Sequence, residues 1–182
     1  METLEEKIER VLRDRVELAP YDPTWLARFE EEKAHLLSCL SDRLVTRVEH
    51  YGSTAVPGMT AKPVVDMLVE VASHEWADEC VPSILQPPTY DYFRRPLDDG
   101  HYPWLIKRNA AGRRTHHIHM AEKDSRLWEG LAFRDHLRAH PDDAEAYREL
   151  KLRLAERHPG DRIAYTEGKT DFVNAILAKA GR

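Results

Sequence analysis

The sequence predicts an α+β fold, with a mixed β-sheet core, N-terminal helices before it and a C-terminal helical segment after it. Three observations carry that prediction. Apolar residues recur at helical spacing over residues 1–43 and again over 122–182. Between them, over 44–121, short β-prone runs alternate with turn signals. One of those runs, Pro63–Val71 (PVVDMLVEV), is almost continuously apolar, as expected of a strand covered on both faces. The length of 182 residues fits one domain, 1–182, built from these three stretches.

Each element has a local reason. Leu4, Ile8, Val11 and Leu12 make an apolar stripe on a first, charged helix, and Val16–Pro20 separates it from a second. Asp22 is placed to cap that second helix and Pro23 to occupy its first turn; Leu26, Phe29, Leu36, Leu37 and Leu40 are its expected buried face. Leu44–Tyr51 and Pro63–Val71 read as strands, Glu75–Leu85 as a helix, and Thr89–Arg94, Tyr102–Lys107 and Thr115–Met120 as further strands. Asn109-Ala-Ala-Gly112 reads as the hairpin loop between the last two. In the tail, Leu127, Leu131 and Leu137 mark one helix ending near Pro141. Ala144, Tyr147, Leu150 and Leu154 mark a second, and Phe172, Val173, Ile176, Leu177 and Ala180 a third, capped by Thr170, with Pro159-Gly160 between these two. Trp25, Trp128 and Tyr147 fall in core registers of their helices.

Composition excludes several function classes. Apolar residues are 42% and charged residues 32%, which is a folding composition and not a disordered one. The net charge is −5, whereas bulk binding of nucleic acid wants a basic balance. No apolar run reaches the ~18 residues of a membrane span, and the charged N-terminal stretch is unlike a signal peptide. Cys39 and Cys80 stand far apart without a Cys-x-x-Cys spacing, so reduced thiols in a cytoplasmic protein are the expectation.

The chemistry concentrates in His50-Tyr-Gly-Ser-Thr-Ala-Val-Pro-Gly-Met-Thr-Ala-Lys-Pro-Val-Val-Asp66. A strand runs into Gly52-Ser53-Thr54, a short turn or helix follows, and a second strand carries Asp66. Gly52 lets backbone approach an anion closely, Ser53 and Thr54 add hydroxyls, and amides opening a following helix could complete a phosphate cradle. Asp66, a carboxylate inside an apolar strand, calls for a metal or cation partner, with Lys62 or an arginine as the plain structural alternative. In isolation Gly-Ser-Thr is an ordinary turn. A Gly-Ser at one strand end with an Asp on the next strand is a much rarer pairing.

The string GSTAVPGMTAKPVVDMLV resembles the signature of the GrpB family. The likeness continues through Tyr21-Asp-Pro-Thr-Trp25, His117-Ile-His119, Leu131-Ala-Phe-Arg-Asp-His-Leu-Arg138, Tyr147-x-x-Leu-Lys151 and Tyr165-x-x-x-Lys169, over roughly residues 15–180. The resemblance implies a nucleotidyltransferase (polymerase-β-like) fold. It also implies transfer of a nucleoside monophosphate from a nucleoside triphosphate to a small-molecule or protein acceptor with a divalent metal, usually Mg²⁺. In that scheme the Gly52-Ser53 corner, with Thr54 beside it, holds the triphosphate and Asp66 is the catalytic metal ligand; Lys62, before the Asp66 strand, and Lys169, four residues after Tyr165, read either as phosphate binders or as surface salt-bridge partners. GrpB-like domains also occur fused to dephospho-CoA kinase, which suggests an accessory role, although no Gly-x-x-x-x-Gly-Lys-[Ser/Thr] loop is present here. The alternative function is therefore a catalytically inactive nucleotide-binding or partner-binding module.

The chain departs from the superfamily's metal pattern, two acids one residue apart on a strand. Leu68 follows Asp66 at that spacing, and Glu70 lies ~13 Å along the strand, too far to grip the same ion. His117 and His119 project to one side of their strand, ~6.6 Å apart, and can converge on one ion. With Asp66 they form a candidate single-metal site whose nitrogens favour Mn²⁺ or Zn²⁺ over Mg²⁺; the bland alternative is a solvated pair of histidines. A histidine-triad hydrolase is excluded because Ala121 stands where its third His is required. Lys107, Arg108, Arg113 and Arg114 read as solvated loop charge, and Arg134 with Asp135 as an exposed helix face. The helical tail is compatible with closing a cleft or with a homodimer surface.

Overall fold

The structure, a computed structural model, describes residues 3–13, 15–97 and 100–181. It is a mixed α+β architecture: α1 (Leu4–Arg13), α2 (Thr24–Cys39), β1 (Val45–Tyr51), a 3₁₀ turn (Ser53–Ala55), β2 (Val65–Val71), α3 (His74–Ile84), β3 (Tyr90–Leu97), β4 (Gly100–Arg108) and β5 (Arg114–Ala121). A second 3₁₀ turn (Arg126–Trp128) leads to α4 (Glu129–Ala139), α5 (Pro141–Arg157), α6 (Arg162–Glu167) and α7 (Thr170–Lys179). No helix among the described residues is long and apolar enough to cross a membrane.

The five strands form one sheet in the order β1-β2-β5-β4-β3. β2 and β5 run parallel and the other pairs antiparallel. Register decides what each face carries. Asp66 pairs with His117, Leu68 with His119, His119 with Trp104, and Trp104 with Phe93. Paired residues share a face, so these side chains form one continuous surface. The opposite face presents Val65, Met67, Val69, Leu105, Ile118 and Met120, which pack with Trp25, Phe29 and Leu36 of α2 and Ala77 and Val81 of α3 into the main core. That side's burial is the dominant stabilising term, at about 25 cal/mol per Å² of apolar surface removed from water.

The second core is smaller. Phe133, Leu137, Tyr147 and Ile176, from α4, α5 and α7, close over Val56 and Met59 of the segment between β1 and β2. The tail helices are thereby held against the Gly52–Lys62 loop. Ala19 and Ala61 exchange backbone hydrogen bonds (2.8 and 3.0 Å), which pins the same loop from the N-terminal side.

Several sequence expectations are corrected. The buried face of α2 is Trp25, Phe29, Glu32 and Leu36, while Leu26 and Leu37 are exposed. The register is set by a buried polar cluster in which Glu32 accepts from Tyr90 (2.8 Å) and pairs with Lys107. Pro23 sits one residue before α2, and the Asp22 carboxylate accepts from the Thr24 amide at 2.9 Å. Thr170 opens α7 with no side-chain cap at the preceding Lys169, and α6 is an unforeseen short helix after Pro159-Gly160. Trp128 is half-buried beneath the Arg47 guanidinium (4.9 Å) instead of in the core. Lys107, Arg108 and Arg114 are not solvated loop charge: they bind Glu32, Asp91 and the Val11 carbonyl, and only Arg113 is exposed. Of the α1 stripe, Val11 is half-buried and Ile8 exposed, both lining a cavity, whereas the side chains of Leu4 and Leu12 lie outside the described residues.

Candidate functional site

A cavity of about 790 Å³ opens on the sheet face that α2 and α3 leave uncovered. Its floor is Asp66, His117, His119 and Trp104; its walls come from the Gly52–Lys62 loop, from α4–α7 and from α1. Every sequence-derived site residue lines it: Gly52, Ser53, Thr54, Lys62, Asp66, His117, His119 and Lys169. Glu70 does not; its carboxylate accepts from Thr46 (2.6 Å) at the far end of β2.

The corner after β1 is packed directly on the aspartate. Gly52 has φ +71°, and a Cβ there would lie 2.6 Å from Asp66 Oδ2, so only glycine fits. The following 3₁₀ turn uses the Ala55 and Val56 amides internally, on the Gly52 and Ser53 carbonyls. The expected helix-amide cradle is thus a single closed turn. Thr54 is buried with its hydroxyl on His50 Nε2 (3.0 Å), and Ser53 and Tyr147 both line the cavity. Two arginines of α4 clamp the corner: Arg134 donates to the His50 carbonyl (2.7 Å), and Arg138 donates to the Ala55 carbonyl through Nε (2.9 Å) and Nη2 (2.6 Å). Arg134 is therefore not part of a solvated face; its side chain is 11% exposed.

Asp66, His117 and His119 each offer one donor atom within 4.8 Å of the others. Among the described residues they are the one such group. His117 Nδ1 donates to Asp66 Oδ1 (3.0 Å), and Arg114 lies 3.5 Å from His117 Nε2. His119 Nδ1 meets the Tyr102 hydroxyl (3.1 Å), which leaves Nε2 for the cavity. Burial pushes His117 down to about 4 and His119 to about 3, so both rings are neutral at pH 7 and keep a lone pair. Burial raises the Asp66 carboxyl, but the His117 hydrogen bond, the two adjacent imidazoles and Lys62 outweigh it and the carboxyl titrates below its ordinary range. One carboxylate and two neutral imidazoles, with outer partners on the histidines, are a donor set that fits a single divalent ion.

The opposite wall is cationic. Lys62 Nζ sits 5.4 Å and Lys169 Nζ 4.5 Å from the Tyr165 ring centre, and Lys151 Nζ sits 4.8 Å from the Tyr147 ring. Lys151 is 2% exposed and donates to the Thr60 carbonyl. No carboxylate among the described residues forms an ion pair with any of the three. Burial first pushes all three down, Lys62 and Lys151 to about 7 and Lys169 to about 8; the Arg162 charge adds to the fall at Lys62 and Lys169, the other two lysines add to it at Lys151, and Asp66 partly offsets it at Lys62 and Lys169. Uncompensated ammoniums held on aromatic faces form a site for an anion. The sequence reading found Lys62 and Lys169 but assigned no role to Lys151. Its signal was a lysine four residues after Tyr147, on the apolar stripe of α5.

Comparison with known proteins adds the family. A model of the GrpB protein family matches residues 15–179. The chain belongs to the GrpB family. It is 38% identical to a UPF0157 protein of Pseudomonas aeruginosa over 92% of this chain and 68% of that relative. It is 32% identical to the glutamate-rich protein GrpB of Alkalihalophilus pseudofirmus, over 92% of this chain and 97% of the relative. The crystal structure of a conserved GrpB protein from Enterococcus faecalis superposes with a TM-score of 0.79 at 34% identity, over 90% of this chain and 96% of that one. α1 (Leu4–Arg13) precedes the family match, yet Ile8 and Val11 line the cavity.

Proposed function

We propose that this GrpB protein is a nucleotidyltransferase-like enzyme that moves a nucleoside monophosphate from a nucleoside triphosphate to an acceptor. The observation that carries this reading is the shared cavity, in which the Asp66–His117–His119 donor set faces three lysines without a carboxylate partner. A divalent ion, Mn²⁺ or Zn²⁺ in preference to Mg²⁺ for the two nitrogen donors, would supply Lewis-acid neutralisation of phosphate charge when bound. Asp66, His117 and His119 would hold it. Lys62, Lys151 and Lys169 bind and orient the β- and γ-phosphates, and Ser53 with the Gly52 corner orders the chain beside them. The depressed lysines regain their protons as the polyanion enters, so binding the leaving pyrophosphate is tied to proton uptake.

Leu68, fully buried where a second acid would stand, favours the second reading, a nucleotide-binding module without transfer chemistry. One experiment separates them. Thermal shift with ATP, with and without Mn²⁺, followed by pyrophosphate release with candidate acceptors, gives metal-dependent binding and turnover for the enzyme and binding alone for the module. Asp66→Asn abolishes metal-dependent binding with the fold intact; normal binding and turnover in that variant would make Asp66 structural.

A further inference from the structure

Resting on the nucleotidyl-transfer reading above, we propose that the cavity arm over β3, β4 and α1 is the acceptor subsite, that it takes a carboxylate carried on an apolar body, and that Arg95 holds the carboxylate.

Lys62, in the loop leading into β2, and the arm residues Phe93, Leu97 and Trp104, on β3 and β4, belong to strands on opposite sides of β5. The lysines come from the loop before β2 and from α5 and the α6–α7 junction; the arm is built on β4 and β3, beyond His119. An in-line displacement at phosphorus places the attacking atom opposite the leaving group. Pyrophosphate on the lysines therefore puts the acceptor in the arm. The arm's walls are mainly apolar, from Ile8, Val11, Phe93, Leu97, Trp104 and Leu127, with Arg114 and Arg126 beside Val11 and Leu127. Such walls bind an alkyl or aryl body by burying it, at about 0.8 kcal/mol per methylene.

Arg95 stands where this apolar arm meets the donor set. Its guanidinium lies 4.8 Å over the Trp104 ring and 6.0 Å from the Tyr102 ring, and its charge reaches His119 and Tyr51. No carboxylate among the described residues pairs with it. A planar guanidinium backed by aromatic faces is matched to a carboxylate. A hydroxyl or amine acceptor would also need a base. The basic groups lining the cavity are already engaged in this scheme: Asp66 accepts from His117 and would hold the ion with His117 and His119, the three lysines bind the leaving phosphates, and Glu129 is exposed at the start of α4. A carboxylate acceptor is ionised at neutral pH and needs none. Its oxygen bonds to the α-phosphorus, and the bond from that phosphorus to the bridging oxygen breaks. The electron pair leaves with pyrophosphate, and the product is an acyl-nucleotide anhydride; no proton changes hands.

The test uses the full chain with octanoate, octan-1-ol and octylamine as probes. Calorimetric titration is expected to show octanoate binding at least about tenfold tighter than the other two. Arg95→Gln, an exposed position whose melting temperature serves as the folding control, is expected to remove that preference. Val11→Trp, which fills the arm, is expected to weaken all three probes. With Mn²⁺, octanoate is expected to stimulate exchange of labelled pyrophosphate into ATP in the wild type only. Equal affinity for the three probes, or a preference that survives Arg95→Gln, overturns the subsite. Preferred octanoate binding without stimulated exchange, while Mn²⁺-dependent ATP binding is intact, overturns its assignment as acceptor. Absence of ATP binding instead defeats the transfer reading, and the Arg95 comparison still decides the carboxylate site.

Discussion

Gly52→Ala tests the contact between the β1 corner and Asp66 most directly. Two penalties arise. The backbone at φ +71°, ψ −170° is open almost only to glycine, and holding alanine there costs about 1–3 kcal/mol. The new Cβ would also lie 2.6 Å from Asp66 Oδ2, 3.1 Å from its Cβ and 3.2 Å from its Cγ. An ordinary contact requires the carboxylate to recede by about 0.8 Å, which stretches its 3.0 Å bond to His117. Weakening that bond, one of whose partners is charged, adds about 1–2 kcal/mol. The variant is therefore expected to lose about 3 kcal/mol of stability, a fall in melting temperature of roughly 6–12 °C for a chain of this size. Mn²⁺ affinity by calorimetry should fall with it. Chemical denaturation in a double-mutant cycle with Asp66→Ala separates the two penalties, because the steric share shrinks when the carboxylate is gone while the backbone share stays. A Gly52→Ala protein within about 0.5 kcal/mol of wild type, with unchanged Mn²⁺ affinity, would refute the packed corner.

Three further outcomes are expected. Tyr102→Phe removes the partner of His119 Nδ1 and should lower Mn²⁺ affinity about tenfold, with little change in fold, as read by calorimetry and circular dichroism. Lys151→Met should stabilise the unliganded protein. The folded lysine titrates near 7, below its usual range, so the unfolded chain binds more protons between about pH 7 and 10.5 and wild-type stability rises across that window. The variant's advantage is thus full below pH 7 and shrinks above it, a trend followed by urea unfolding at several pH values; a constant difference would place the amine in water. Arg138→Met should loosen the 3₁₀ turn by releasing the Ala55 carbonyl, costing about 1 kcal/mol at this partly exposed position and showing faster amide exchange at residues 53–56.

Much of the site was legible because its strand chemistry is local. Alternation along β5 places His117 and His119 on one side and His116, Ile118 and Met120 on the other, whatever the strand pairs with. His116 indeed reaches back to the Arg28 carbonyl of α2. Gly52 next to a hydroxyl pair, and an aspartate in an apolar strand, were similarly readable as exceptions to the residues around them. The hairpin at Asn109–Gly112 was fixed by short-range bonds, with Asn109 Oδ1 accepting from Ala111 and Arg113 (both 3.0 Å).

Helix registers were less legible. The pattern of α2 offers two apolar faces, and the choice of Trp25, Phe29 and Leu36 depended on Glu32 finding Tyr90 and Lys107 from β3 and β4. Nor could charge type distinguish Arg108, buried on Asp91, from the exposed Arg113 five positions on.

By itself the sequence determined the α+β class, the strand that carries Asp66, the facing of the two histidines and the glycine corner, because each follows from bonds and sterics within a few residues. Only the tertiary structure decided that β2 and β5 lie side by side, bringing Asp66 to His117, and that Lys62, Lys151 and Lys169 meet although about a hundred residues separate the first from the last. Such convergence is a property of chain topology and of two cores packed around one loop, and a linear pattern carries no information on distances across a cavity.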